Sequence, residues 1–191
     1  MSSKRATTRQ NASLQALVDA ETIEGCQAGE SHAQERLYEL CHARIYHLMV
    51  RMVGLQDAAD LTQQIFLQAF RKIDQYAGQS KFETWFYRLA INEALQYLRK
   101  KRRRSHLSFT QEPMSQNQPE QNRREMKELL EEALSRLEPE LLSLFILHEV
   151  EKLSYREIAE VKKIAEGTVG SRLNRARREL KQHLTDLGWE P

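Results

Sequence analysis

Residues 153–181, LSYREIAEVKKIAEGTVGSRLNRARRELK, decide the fold. Ser154 followed three residues on by Glu157 is the S-x-x-E spacing of a capping box, in which hydroxyl and carboxylate each satisfy an N–H orphaned at a helix start. The pattern predicts a short helix that stalls at Lys162-Lys163-Ile164, then a second helix. In that second helix Val169, Leu173, Ala176, Leu180 and Leu184 share one face, because each residue advances about 100° around the axis. The opposite face carries Ser171, Asn174, Arg175 and Arg178, flanked by Thr168 and Arg172. A short helix, a tight turn and a basic, amide-bearing second helix make a helix-turn-helix. Its natural ligand is the major groove of duplex DNA, where Arg and Asn form bidentate pairs with base edges. A basic face alone is commonly just a solvated surface; the two-helix pattern beside it is what points to DNA.

The whole composition bounds what surrounds this segment. A chain of 191 residues holds one or two small domains. Hydrophobic residues at 40% are few for one large core, and 29% charged residues with only seven glycines fit a mostly helical protein. The net charge is only +2, so affinity for nucleic acid has to come from local clusters rather than a global field. Cys26 and Cys41 are the only cysteines, and without a secretory signal both are expected free in a reducing cytoplasm. Cys41 stands near His42 and His47, but it falls on an apolar helical stripe, which reads as a core thiol rather than a metal ligand. No metal, no cofactor and no membrane span is expected.

Working outward toward the N-terminus, residues 1–21 read as a mobile extension carrying Lys4, Arg5 and Arg9. From His32 to Val53 a helix is predicted on Leu37, Cys41, Ile45, Leu48 and Met52, ended by Gly54. Asp57 then reads as the N-cap of a second helix, with Asp60 in its first turn and Leu61, Ile65, Ala69 and Ile73 as its core stripe. Phe66 and Phe70 widen that stripe. Ser80 and Glu83 give another S-x-x-E box, opening a long helix to about Arg102. These helices make a first domain over 22–104. Residues 105–122, SHLSFTQEPMSQNQPEQN, read as a flexible linker. A second domain, 123–191, begins with an amphipathic helix on Met126, Leu129, Leu130, Ala133, Leu134 and Leu137. Pro139 starts the next helix, whose apolar run Leu141–Leu147 belongs beneath the helix-turn-helix. No strand-like alternation appears, so the expected class is all-α: two small helical domains on a linker.

A second site-like stretch lies in the first domain. Six aromatic residues fall between Tyr76 and Tyr97, and six consecutive cations, Arg99 to Arg104, follow. Aromatic rings stack on unpaired bases while cations hold the backbone, a pairing that suits single-stranded DNA. Phe82, Phe86 and Leu89 read as core; Trp85, Tyr87, Asn92 and Gln96 are open to either reading.

One cluster suited to duplex and one to single strands imply a protein that recognises a site and opens it. The segment DAADLTQQIFLQAFRKIDQYAGQSKFETWFYRLAINEALQYLRKKRRR resembles region 2 of the extracytoplasmic-function (ECF) sigma factors. The segment LEPELLSLFILHEVEKLSYREIAEVKKIAEGTVGSRLNRARREL resembles their region 4. The resemblance spans about residues 22–184 in the family's order, and it implies an all-α, non-enzymatic subunit that directs core RNA polymerase to promoters. Its D-x-x-D-L-x-Q-x-x-F stretch implies contact with the clamp helices of the largest polymerase subunit, pointing to Asp57, Asp60, Leu61, Gln64 and Phe66. N-cap and core roles already account for Asp57, Leu61 and Phe66, leaving Asp60 and Gln64 as the stronger candidates. The loop at Ala77–Ser80 is implied to capture a flipped base of the −10 element, with Gln79, Ser80 and Lys81 as its contacts and Trp85, Asn92, Gln96, Arg99 and Arg102 along the helix that follows. Flipping costs a few kcal/mol, which a pocket and stacking offset. The second helix of region 4 is implied to read the −35 duplex through Thr168, Ser171, Arg172, Asn174, Arg175 and Arg178, with Tyr155 from the helix before it. Promoter DNA, core polymerase and an anti-sigma factor are the implied partners, in the cytoplasm.

The chain departs from the family pattern in places. Lys162-Lys163 stands where Leu-Gly is usual, so the turn is expected to be strained or reshaped. Ala165 replaces a common Pro, Gly170 a frequent Lys, and Ile91 and Gln96 a typical Arg and Asp. A stand-alone helix-turn-helix regulator is the alternative; such a dimer would need neither the aromatic helix at 82–98 nor the D-x-x-D-L face. An enzyme is disfavoured, because neither the acidic residues nor the six histidines form a catalytic or metal-binding group.

Overall fold

The computed structural model describes residues 18–105 and 121–189. The N-terminal extension up to residue 17 and the linker between 106 and 120 lie outside the described residues. Eight α-helices are described and no strand, as the periodicity predicts.

In the first domain, α1 (Ala20–Gln27) starts from Asp19, whose carboxylate accepts from the Thr22 N–H at 2.8 Å. It begins inside the stretch the sequence assigns to the extension, and Val18 is already buried. Helix α2 (Ser31–Val53) buries Leu37, Cys41, Ile45, Leu48 and Met52 as predicted, and stops at Gly54, whose φ of 89° a side chain would resist. Burial pushes the Cys41 thiol up to about 12, the value of an inert core residue rather than a ligand.

Helix α3 (Leu55–Lys72) corrects one expectation: it begins at Leu55, so Asp57 is not its N-cap but sits in its first turn. There the carboxylate accepts from Lys101 at 2.7 Å, which holds it below the usual carboxylate range. Helix α4 (Phe82–Ser105) begins one residue later than a box centred on Ser80 requires; the Ser80 carbonyl instead accepts from the Tyr76 hydroxyl at 2.7 Å. Phe82 and Phe86 are buried, joined to Phe66, Tyr76 and Trp85 by ring contacts of 5.3–5.9 Å.

The second domain contains α5 (Gln121–Ser135), α6 (Pro139–Phe145), α7 (Tyr155–Lys162) and α8 (Glu166–Asp186). Helix α5 buries Ala133 but leaves Met126 and Leu130 exposed, so its apolar stripe is only half used. From α6 the chain continues into one wide π-turn, Ile146–Val150. Leu141, Leu142, Leu144, Ile146 and Leu147 are buried beneath the helix-turn-helix, as the apolar run predicts. Ser154 and Glu157 form the complete capping box at the start of α7.

The turn between α7 and α8 keeps its shape without glycine. Lys163 adopts the left-handed conformation itself, at φ 52°, ψ 47°, and its N–H bonds the Ala159 carbonyl. A side chain there costs about 1–2 kcal/mol relative to glycine. Lys163→Gly is therefore expected to raise stability by about 0.5–1 kcal/mol once the added freedom of the unfolded chain is offset. Thermal unfolding followed by circular dichroism checks this; an unchanged or lower midpoint would show that the turn is unstrained.

Candidate functional site

Two opposite-facing sets of residues on α8 divide its labour. Val169, Leu173, Ala176 and Leu180 are buried against α6 and α7. Ser171, Asn174, Arg175 and Arg178 are exposed, and Thr168 and Arg172 are half-buried at the edges. The structure thus brings the predicted duplex-reading residues onto one open face. Arg175 is held by Glu179 one turn on at 2.7 Å and lies 3.6 Å from Glu138. Tyr155 leans against the start of this helix: a Cβ built on Gly170 would meet its ring at 3.4 Å. Gly170 thus supplies room for an aromatic contact where a longer residue would have to stand clear of it.

The helix is anchored by an ion pair in which two guanidinium N–H groups converge on one carboxylate oxygen. Arg177 donates through Nε and Nη2 to Glu149 Oε1 at 3.1 and 2.7 Å. These hydrogen bonds hold the Glu149 carboxyl below its usual value. Arg177 was not singled out in the sequence; its place between apolar Ala176 and solvent-facing Arg178 is the only signal it left.

The predicted polymerase-facing residues separate into two groups. Asp60 and Gln64 are exposed on α3, on a face that also carries exposed Gln63 and a Leu67 that is 50% exposed. Leu61 and Phe66 are buried at 3% and 2%, so as direct contacts they are corrected: they fix α3 from inside the core. Gln63 escaped the sequence reading, although the spacing D-x-x-D-L-x-Q places its glutamine at that position; Asp60, Gln63, Gln64 and Leu67 follow one another at helical intervals.

On α4 the predicted strand-contacting residues lie along one side. Gln79, Lys81, Asn92, Gln96, Arg99 and Arg102 are exposed, and Ser80 and Trp85 are half-buried. Tyr87 is buried, its hydroxyl donating to Glu151 of the second domain at 2.6 Å, and burial raises its pKa. The second domain lies across this side of α4. Arg99 pairs with Glu140 at 2.8 Å, and Arg102 donates to the Leu137 carbonyl at 3.0 Å. Arg88 donates to the carbonyls of Glu160 and Val161 at the end of α7.

Among the described residues no group of three or more His, Cys, Asp or Glu could hold a metal ion. No described helix is long and apolar enough to cross a membrane.

Two family models match the chain: Sigma-70 region 2 over residues 37–104 and Sigma-70, region 4 over residues 127–180. The ECF RNA polymerase sigma-E factor of Haemophilus influenzae is 30% identical over 188 residues, covering 90% of this chain and 97% of that protein. The RNA polymerase sigma-H factor of Pseudomonas aeruginosa is 32% identical over 183 residues, covering 88% and 95%. Among solved structures, CnrH in complex with the cytosolic domain of CnrY aligns with a TM-score of 0.66 at 18% identity, covering 88% of this chain and 97% of that one. The sigma factor RpoE in complex with the anti-sigma factor NepR from Bartonella quintana aligns at 0.60 with 22% identity, covering 79% and 96%. At these identities the structural likeness is one of fold.

The Glu149–Arg177 anchor has a definite pH signature. A carboxylate held below its ordinary value of 4.5 stabilises the fold at higher pH, and that contribution fades as pH falls through its lowered folded value. Glu149→Gln should therefore unfold at a lower temperature than the parent near pH 7. The gap should close once the pH has fallen through that lowered folded value, where the parent carboxyl is itself protonated. A gap independent of pH would mean that the pair contributes packing rather than charge.

Proposed function

The chain belongs to the ECF sigma factors of RNA polymerase, and from that membership we propose how its surfaces divide the work of initiation. Members of the family bind core polymerase, direct promoter-specific initiation and carry no catalytic activity; this chain does the same. In our reading residues 22–104 form the polymerase-binding and −10 domain, 105–122 the linker and 123–191 the −35 domain.

The observation that carries the reading is the open face of α8, with Ser171, Asn174, Arg175 and Arg178 exposed while the opposite side is buried. Asn174 and Arg175 read base edges in the −35 duplex, and Arg178, Arg172 and Thr168 take the phosphates beside them. Tyr155 positions the start of that helix. Asp60, Gln63 and Gln64 meet the polymerase clamp helices, with Leu67 as an apolar anchor. Gln79, Ser80 and Lys81 form the mouth of the base-capturing loop; Trp85, Asn92, Gln96, Arg99 and Arg102 follow the melted strand. The work takes place in the cytoplasm, with core polymerase. An anti-sigma factor is a further partner in this reading, supported by the neighbouring fold solved with NepR.

A stand-alone regulator would have no use for an exposed polar face on α3, and none of its acids and amides would respond to core polymerase. Two experiments decide between them. Purified protein mixed with core polymerase should co-elute in size exclusion and start transcripts at discrete sites; a footprint on palindromic DNA without polymerase would favour the regulator. Asp60→Arg should weaken core binding at least tenfold without lowering the unfolding midpoint, since the residue is exposed. In the holoenzyme, Arg175→Ala should cost about 1–3 kcal/mol and relax preference at one −35 position. Arg102→Ala should weaken binding evenly across sequences and flatten the salt slope by about one. Equal loss of discrimination in the two variants would refute this division.

A further inference from the structure

The base-capturing loop is short, and the groups that shape it come from elsewhere in the first domain. Gly25 lets α1 settle on α2: a Cβ built there would stand 2.7 Å from the Ala33 Cβ, closer than side-chain carbons pack. Asp19 and Arg36, paired at 2.7 Å, tie the start of α1 to α2, and Cys26 is buried near its end. That seating brings Gln27, the last residue of α1, to the chain between α3 and α4. Its Nε2 donates to the Ile73 and Tyr76 carbonyls, both at 3.0 Å, across 46 and 49 residues of sequence. A primary amide carries two N–H donors on one nitrogen, so a single side chain serves both carbonyls. Because both partners are acceptors, the orientation of the amide is fixed. The Tyr76 hydroxyl then reaches across the loop to the Ser80 carbonyl at 2.7 Å, and its ring packs edge-on against Phe82 at 5.5 Å. Between these tied ends Ala77, Gly78 and Gln79 are exposed, and Gly78 stands at φ 69°, where a side chain is disfavoured.

We propose that Gln27 is a positioning residue for base capture: it holds the entry of the loop in its receptive shape before DNA arrives, without itself meeting the base. The proposal rests on residues 77–81 being the base-capturing loop. Taking a base out of the stack costs free energy, and a loop that had to become ordered at the same moment would add its own entropy to that cost. A loop already tied at both ends avoids the addition. Gln27 is exposed, so its amide adds little to the packing of the core. Its two bonds end instead on the carbonyls that lead into the loop. Helix α1 also lies ahead of residues 37–104, which match region 2, so the shape of this loop is set partly by a segment outside the family pattern. Glutamate in place of Gln27 would keep the length, lose both donors and set an anion against two carbonyl oxygens. Methionine would fill a similar space with neither donor nor charge.

The test uses the full chain assembled with core polymerase on a promoter mapped from its own start sites. Each base of the non-template −10 strand is removed in turn to leave an abasic site, and permanganate footprinting reads the rate at which nearby thymines become unpaired. In the parent one position should be sensitive, its abasic form opening about tenfold more slowly, a typical size for one held base. On intact DNA, Gln27→Met should slow opening about threefold and Gln27→Glu about tenfold, the range expected from one or two lost hydrogen bonds. On DNA abasic at the sensitive position both variants should open as fast as the parent does, because a loop with no base to hold gains nothing from its brace. Slowing that persists on the abasic promoter would mean that Gln27 acts through the whole domain or through charge, and would overturn the proposal. Parental rates for both variants on intact DNA, beside a parent that is sensitive at one base, would overturn the proposal alone. A parent indifferent to every removed base would overturn the reading of the loop, and the proposal with it. Should Gln27→Glu lower the unfolding midpoint, Gln27→Met, which brings no charge, still decides between these outcomes.

Discussion

The packing of the second domain on the first depends on burying a carboxylate. A charge moved from water into a protein interior loses several kcal/mol of hydration, and only opposite charge and hydrogen bonds placed around it can offset the loss. Glu151 has 8% of its side chain exposed, and its partners Arg44, Arg51 and Tyr87 all belong to the other domain. Among the described residues the hydrogen-bond and ion-pair partners of this carboxylate all come from the first domain, so its buried position is tenable only while the domains touch. The π-turn before it explains how the acid arrives. A wider turn over Ile146–Val150 sends Glu149 back to Arg177 of α8 and carries the chain on to Glu151. One irregular turn therefore serves both the anchoring of the recognition helix and the joining of the domains.

Most of the secondary structure was legible because it is periodic. Helix α2, the capping box of α7 and the two faces of α8 follow directly from apolar spacing and a Ser-x-x-Glu signature. What was not legible depends on partners distant in sequence. Asp57 has the composition of an N-cap, and only the fold shows that Lys101 claims it. Leu61 and Phe66 belong to a motif associated with polymerase, yet their chemistry is that of core residues and the structure treats them so. Glu140 and Glu151 carry no local pattern; a glutamate before an apolar run and one after it look like ordinary solvated acids. Their role is set across a sequence separation that no helical period can encode.

The turn Lys162-Lys163 combines both kinds of information. Its irregularity was visible as a missing glycine, and the expectation of strain is met by a non-glycine residue at φ 52°. The physical reason for the first lysine was invisible. Lys162 stretches from the end of α7 to Glu140, with burial pulling its pKa down and the carboxylate partly restoring it. Lys163 points into solvent and accounts for none of this. A strained backbone and a buried charge in adjacent residues mark the point where the helix-turn-helix is tied to the rest of the molecule.

The nearly neutral balance of the whole chain then acquires a structural meaning. A net charge of +2 argues against a nucleic-acid-binding surface only if the cations and acids are mixed evenly. Here acids of the second domain are placed against cations of the first: Glu140 against Arg99, Glu151 against Arg44 and Arg51. Closed, these charges cancel at short range and project little field. Separated by more than about 8–10 Å, the Debye length near physiological salt, they act independently, and the first domain presents its cations without their acids.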